Sequence, residues 1–85
     1  MDYESVAQFH KALADPTRIQ IIEYLMGHDG CCICHLLKNI KKDHSVVSRH
    51  IDILKRAGLV KTQRDGRYLF CTIHDRRRMK RMLEV

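Results

Sequence analysis

Cys31-Cys32-Ile33-Cys34-His35 gathers three of the four cysteines of this 85-residue chain into four consecutive positions, with His28 just upstream. Thiolates are soft ligands, so the stretch reads first as a site for a soft ion such as arsenite, cadmium, lead or zinc. In a regular helix residues i and i+2 point apart. Cys32 and Cys34 therefore meet on one ion only where the helix start is unwound or distorted. Cys31 would then add a third sulfur from the preceding turn, and Cys71 stands second to it for that place. Other chemistry fits the same residues. A helix start and neighbouring lysines would lower a thiol pKa and make a redox switch, in which a disulfide distorts the helix. Cys31-x-x-Cys34-His35 also matches the haem-attachment pattern, a pattern of exported proteins. A cysteine is, finally, a small buried hydrophobe, which accounts for Cys71 more readily than for three thiols at a turn.

The cysteines need a scaffold, and the sequence supplies one. Gly27-His28-Asp29-Gly30 reads as a turn, and Cys31 to Ile40 as a short third helix with Leu37 and Ile40 inward. It leads into Asp43–Tyr68, a helix followed by a basic hairpin. Over residues 44–57, at ~100° per residue, Val47, Ile51 and Leu54 make a buried stripe. Ser45, Ser48, Arg49, Asp52, Lys55 and Arg56 fall on the opposite side. Asp43 is placed to cap the helix with its carboxylate, and Gly58 to end it in a left-handed conformation. Val60–Arg64 and Arg67–Ile73 are rich in β-branched and aromatic residues, with Asp65-Gly66 as the turn signal between them. A helix carrying hydroxyls and guanidinium groups suits the major groove, and a positive hairpin tip suits the adjacent backbone or minor groove. The candidate DNA contacts are therefore His44, Ser45, Ser48 and Arg49 on the helix, Arg64 and Arg67 on the hairpin, and Lys42 near the phosphates with Lys38 and Lys41.

Two helices precede this unit. Residues 3–14 place Val6, Phe9 and Leu13 on one side. Asp15-Pro16 then restarts the chain as cap and first helical residue, with Ile19, Ile22, Leu25 and Met26 facing inward to about residue 26. A last helix from Asp75 carries Met79, Met82 and Leu83 among five basic residues. Its apolar side suits packing beside the first helix better than a membrane surface, for which it is short. The histidines lack paired metal spacing; His50 falls on the inner side of the 44–57 helix as a structural residue.

A net charge of +6 and a pI near 9.4 favour a nucleic-acid partner when combined with a helix and a basic wing. The length fits one domain, 1–85, small enough to gain from dimerisation. No apolar run spans a bilayer, and Met1-Asp2-Tyr3-Glu4 opens acidic rather than as an export leader. The expectation is a cytoplasmic protein with no membrane partner, whose cysteines are thiols rather than structural disulfides.

Two blocks of sequence resemble the ArsR/SmtB winged-helix repressors. The first is Lys11-Ala12-Leu13-Ala14-Asp15-Pro16-Thr17-Arg18 followed by Ile21, Ile22 and Leu25. The second is Ser48-Arg49-His50-Ile51, Leu54, Ala57-Gly58-Leu59-Val60 and Arg64-Asp65-Gly66-Arg67. The resemblance implies an α+β, mostly helical winged helix-turn-helix with a two-stranded β-hairpin wing. It implies a homodimer joined through helices at about 3–14 and 75–84, on a two-fold-symmetric double-stranded operator. No cofactor is required for DNA binding; a soft metal or metalloid ion would act as effector and release the protein. Arsenic- and cadmium-sensing members carry Cys-Val-Cys-Asp-Leu at the start of the third helix. This chain has Cys32-Ile33-Cys34-His35-Leu36 there, with His35 in place of the acidic residue. The pairs on a long final helix that serve zinc- and nickel-sensing members are missing from Asp75–Val85. Cys31, Cys32 and Cys34 are thus the candidate metal residues. A redox-switched repressor, a regulator without a metal effector, a haem or thiol carrier enzyme, and a winged-helix module for an acidic protein partner stand as alternatives.

Overall fold

Aspartates open most of the helices in the computed structural model, which describes residues 2–83. In α1 (Tyr3–Leu13) the Asp2 carboxylate accepts from the backbone N–H of Glu4 at 3.1 Å and of Ser5 at 3.3 Å. In α2 (Pro16–Gly27) Asp15 accepts from Thr17 and Arg18 at 2.9 and 3.1 Å, and Pro16 occupies the first turn, where its missing N–H costs nothing. In α5 (Arg76–Leu83) Asp75 accepts from Arg78 at 3.0 Å. The expected cap of α4 (His44–Arg56) differs: Asp43 stands at the cap position, yet its carboxylate makes no bond to the helix. Asp43 is exposed, so water can solvate both the carboxylate and the first-turn N–H groups and the bond is not obligatory. The other end of α4 is as expected. Gly58 takes φ 77°, its N–H donates to Lys55 at 3.0 Å, and Leu59 N–H donates to Leu54 at 3.0 Å. That bond pair satisfies the last carbonyls and turns Leu59 back into the core.

The wing is a regular antiparallel hairpin of β2 (Val60–Asp65) and β3 (Tyr68–Ile73), from Val60 opposite Ile73 to Asp65 opposite Tyr68. The loop is Gly66-Arg67 rather than Asp65-Gly66. Gly66 alone takes a positive φ, 62°, the pattern of a turn with glycine first, so Asp65 is left to close the ladder. A further difference lies at the cysteines. Cys31–Cys32 is not helical but a short strand, β1, paired to β3 in a three-stranded sheet of order β1-β3-β2. α3 therefore runs Ile33–Asn39, because Cys31 and Cys32 spend their backbone groups on Cys71 and Phe70.

The core collects Ile21, Ile22 and Leu25 of α2, Leu36 of α3, Val47, Ile51 and Leu54 of α4, and Cys71 and Ile73 of β3. Two inward assignments shift. Val6 and Ile19 are 42% and 40% exposed, while Ala12 and Ile21 are buried in their helices. Leu36 is the fully buried leucine of α3, and Leu37 is partly buried against the same core. Close packing of α1 on α2 selects the small Ala12 and rotates the larger Val6 outward. Two arginines satisfy the open C-terminal carbonyls of α1 and α2. Arg18 Nε donates to Ala12 O at 2.7 Å. Arg76 donates to Leu25 O at 3.3 Å and to Met26 O, and pairs with Asp29 at 3.5 Å, seating α5 against the end of α2. Among the described residues, no helix is long and apolar enough to cross a membrane. Of the expected 75–84 helix, Glu84 lies outside the described residues, as do Met1 and Val85.

Candidate nucleic-acid interface and thiol site

The outer face of α4 and the wing form one continuous polar surface. Lys42, His44, Ser45 and Arg49 are exposed, Ser48 is partly buried, and Arg64 and Arg67 are exposed on the wing. Between helix and wing runs a cleft of about 370 Å³, lined by Ser48, Asp52 and Lys55 on one side and Thr62, Arg64 and Leu69 on the other. Asp52 pairs with Arg56 one turn on, at 3.0 Å, a half-exposed pair worth only a few tenths of a kcal/mol by the usual scale, roughly 0.3–0.5. At the wing tip the Arg67 guanidinium lies 5.6 Å from the centre of the Tyr68 ring, which is itself 49% exposed. An aromatic ring beside the tip arginine adds a stacking surface to the charge. Its position directly after the turn was the signal for it. The surface offers cations and hydroxyls, the group types that bond phosphates and base edges.

His50 holds this helix in place. Its Nδ1 meets Nη1 of Arg18 at 3.1 Å, the same guanidinium that caps α1. Since an arginine can only donate, Nδ1 is the accepting nitrogen and the ring proton sits on Nε2. The backbone N–H of Arg18 bonded to Asp15, together with the charge of the Arg18 guanidinium, holds the Asp15 carboxyl below its usual range. One residue of α4 is thus tied to the α1–α2 corner.

The four cysteines sort into two pairs. Cys32, buried, caps α3: its backbone is extended (φ −67°, ψ 143°) and its sulfur accepts from Cys34 N–H at 3.2 Å. That extended residue removes the obstacle a regular helix would pose. Against the expectation of four thiols, the sulfurs of Cys32 and Cys34 are paired as a disulfide, with their Cα atoms 5.2 Å apart, and Cys34 is exposed, while Cys31 and Cys71 are free. Cys31 is not brought to them. Successive strand residues face opposite sides, so Cys31 sits directly across from Cys71, turned toward the core. Burial pushes the Cys31 thiol up, and it pushes the fully buried Cys71 up to about 11, with nearby Cys31 adding to that rise. His28 is engaged elsewhere, stacked on Tyr24 at 4.1 Å with Nδ1 2.9 Å from Tyr24 O. His35 is exposed. Among the described residues, no group of three or more His, Cys, Asp or Glu side chains is arranged to hold a metal. Once reduced, Cys32 and Cys34 offer two soft donors at one point, one open to solvent, which fits a thiophilic ion or a dithiol–disulfide pair.

On the opposite side α5 lies beside α1, with the Arg78 guanidinium 4.2 Å from the centre of the Phe9 ring. Next to it Tyr3 and Val6 stand 79% and 42% exposed, an apolar strip on the first helix.

Residues 15–62 match the model of the bacterial regulatory protein arsR family. The chain is 39% identical to the uncharacterized HTH-type transcriptional regulator MJ1325 of Methanocaldococcus jannaschii, over 88% of this chain and 84% of that protein. It is 32% identical to the cadmium resistance transcriptional regulatory protein CadC of Listeria innocua, over 81% of this chain but 58% of the CadC length. The fold superimposes on the homodimeric winged helix-turn-helix DNA-binding domain of Mb0332 from Mycobacterium bovis with a TM-score of 0.84, at 24% identity, covering 95% of this chain and 76% of that one.

Proposed function

The chain belongs to the arsR family of bacterial regulatory proteins, and from that premise we propose a homodimeric repressor released from its operator by a soft metal or metalloid ion. As a family member it is a DNA-binding winged-helix transcriptional regulator and not an enzyme. The finer reading rests on one observation above the others: Cys32 and Cys34 bring their sulfurs together at the start of α3, the helix that leads directly into α4. Cys32 and Cys34 would hold the ion, arsenite or cadmium before lead or zinc. Cys31 would join as a third sulfur only if β1 left β3, so it is the lesser ligand. The relative named for cadmium resistance supports this reading.

His44, Ser45, Ser48 and Arg49 read the major groove in this account, Arg64 and Arg67 bind the backbone or minor groove, and Lys42 reaches a phosphate. The exposed Tyr3 and Val6 on α1, beside α5, support dimerisation there, and the homodimeric Mb0332 domain supports the same assembly. Two α4 helices related by a two-fold axis call for a palindromic site. Such a regulator works in the cytoplasm, with the chromosome. The test is fluorescence anisotropy of the reduced protein on duplex from upstream of its own gene, titrated with arsenite, with cadmium and with a mild oxidant. Release by either ion is expected. Release by the oxidant alone, reversed by reductant, would replace the ion with a disulfide between the same two cysteines.

A further inference from the structure

We propose that Ile33 is the lever that carries the state of the cysteine pair to the DNA-binding surface, an inference that rests on Cys32 and Cys34 as the ion-holding pair. Ile33 lies between the two cysteines and is the first residue of α3. Its side chain points the other way from the exposed Cys34: it is partly buried and lines the helix–wing cleft together with Ser48, Ile51 and Lys55 of α4 and Thr62, Arg64 and Leu69 of the wing. One residue therefore faces the same cleft as both halves of the DNA-binding surface, while its two peptide bonds lead to the two sulfurs.

The coupling follows from the local bonds. The Cys32 sulfur accepts the Cys34 N–H at 3.2 Å and so caps α3. A Cys32 thiolate engaged elsewhere competes with that cap, and the first turn of α3, which begins at Ile33, must readjust. Packed interiors respond to such shifts by changing between discrete arrangements rather than by yielding smoothly. Ile33 shares the floor of the cleft with Ile51 on α4 and Leu69 on β3, so its displacement would reshape the gap between helix and wing within one protomer. A response routed through the dimer interface alone would not need Ile33.

The experiment uses the full chain with cadmium as probe. Cadmium binding is read from thiolate-to-metal absorbance, and DNA affinity is measured with and without cadmium for wild type, Ile33→Ala and Ile33→Val, each protein serving as its own reference. Wild type is expected to lose affinity by the roughly 5- to 150-fold typical of coupled sites. Ile33→Ala should bind cadmium with wild-type stoichiometry while its loss of DNA affinity falls below about threefold, and Ile33→Val should lie between. A wild-type loss in a cadmium-loaded Ile33→Ala overturns the lever and leaves the cysteine site standing. If Ile33→Ala does not fold by circular dichroism, Ile33→Val decides alone, an unchanged response overturning the proposal. Wild type that fails to bind cadmium through Cys32 and Cys34 removes the underlying reading and the lever with it.

Discussion

Replacing Arg18 with alanine should destabilise the domain by removing two part-buried bonds that join α1, α2 and α4. The guanidinium donates to Ala12 O at 2.7 Å and to His50 Nδ1 at 3.1 Å; its third contact, to Lys11 O at 3.5 Å, is at the limit of a hydrogen bond and adds little. Bonds from a charged donor contribute about 1.5–3 kcal/mol each. The site is only partly buried, so the low end applies, and two such bonds give about 3 kcal/mol. For a domain of this size, 1 kcal/mol moves Tm by about 4–8 °C, so the expected fall is roughly 12–24 °C. Differential scanning calorimetry at fixed protomer concentration reads it, since dimerisation makes Tm concentration-dependent. His50→Ala loses one of the two bonds and should cost about half as much, and the double variant should cost less than the sum, because the residues share a contact. Arg18→Lys keeps the charge but cannot fork between two acceptors, so it should recover only part of the loss. A fall below about 4 °C in Arg18→Ala, equivalent to under 1 kcal/mol, would refute the claim that this contact seats α4 on the α1–α2 corner.

Arg49→Ala should weaken specific operator binding by about 1–3 kcal/mol, the worth of one good bidentate base contact, measured by anisotropy against a scrambled duplex; unchanged specific affinity would remove Arg49 from the reading face. Cys71 keeps its proton in the fold up to about 11 rather than the ordinary 9.0, so between those values the unfolded chain has lost a proton that the folded one retains. Stability should therefore fall as pH rises from 9 to about 11, and urea unfolding of reduced Cys71→Ala should show a flatter dependence across that window than wild type.

Much of the fold was legible because it rests on local chemistry. Asp15-Pro16, the Val47–Ile51–Leu54 stripe and Gly58 each fix a boundary through bonds within a few residues, and all stand where expected. What was not legible depends on distant partners. Nothing near Cys31 signals a strand; it becomes one because Cys71, forty positions later, offers an antiparallel edge. That pairing also decides which cysteines meet. The spacing allowed Cys31, Cys32 and Cys34 to be read as one cluster, whereas strand alternation turns Cys31 toward Cys71 and leaves Cys32 to cap α3 beside Cys34. Arg18 and Arg76 carried no local sign of their roles, because the carbonyls they satisfy belong to other helices. The hairpin turn slipped by one residue since glycine can serve at either central position, and only the strand register distinguishes them.

Under the proposed function, Cys32 and Cys34 sense a soft ion and α4 responds. The most direct test is operator affinity with and without arsenite or cadmium in reduced Cys32→Ser and Cys34→Ser proteins. Serine is a good helix cap, and Cys34 is exposed, so both variants should fold and bind DNA. Both variants should stay on the operator at ion concentrations that release the wild type. Normal release from either variant would contradict that function.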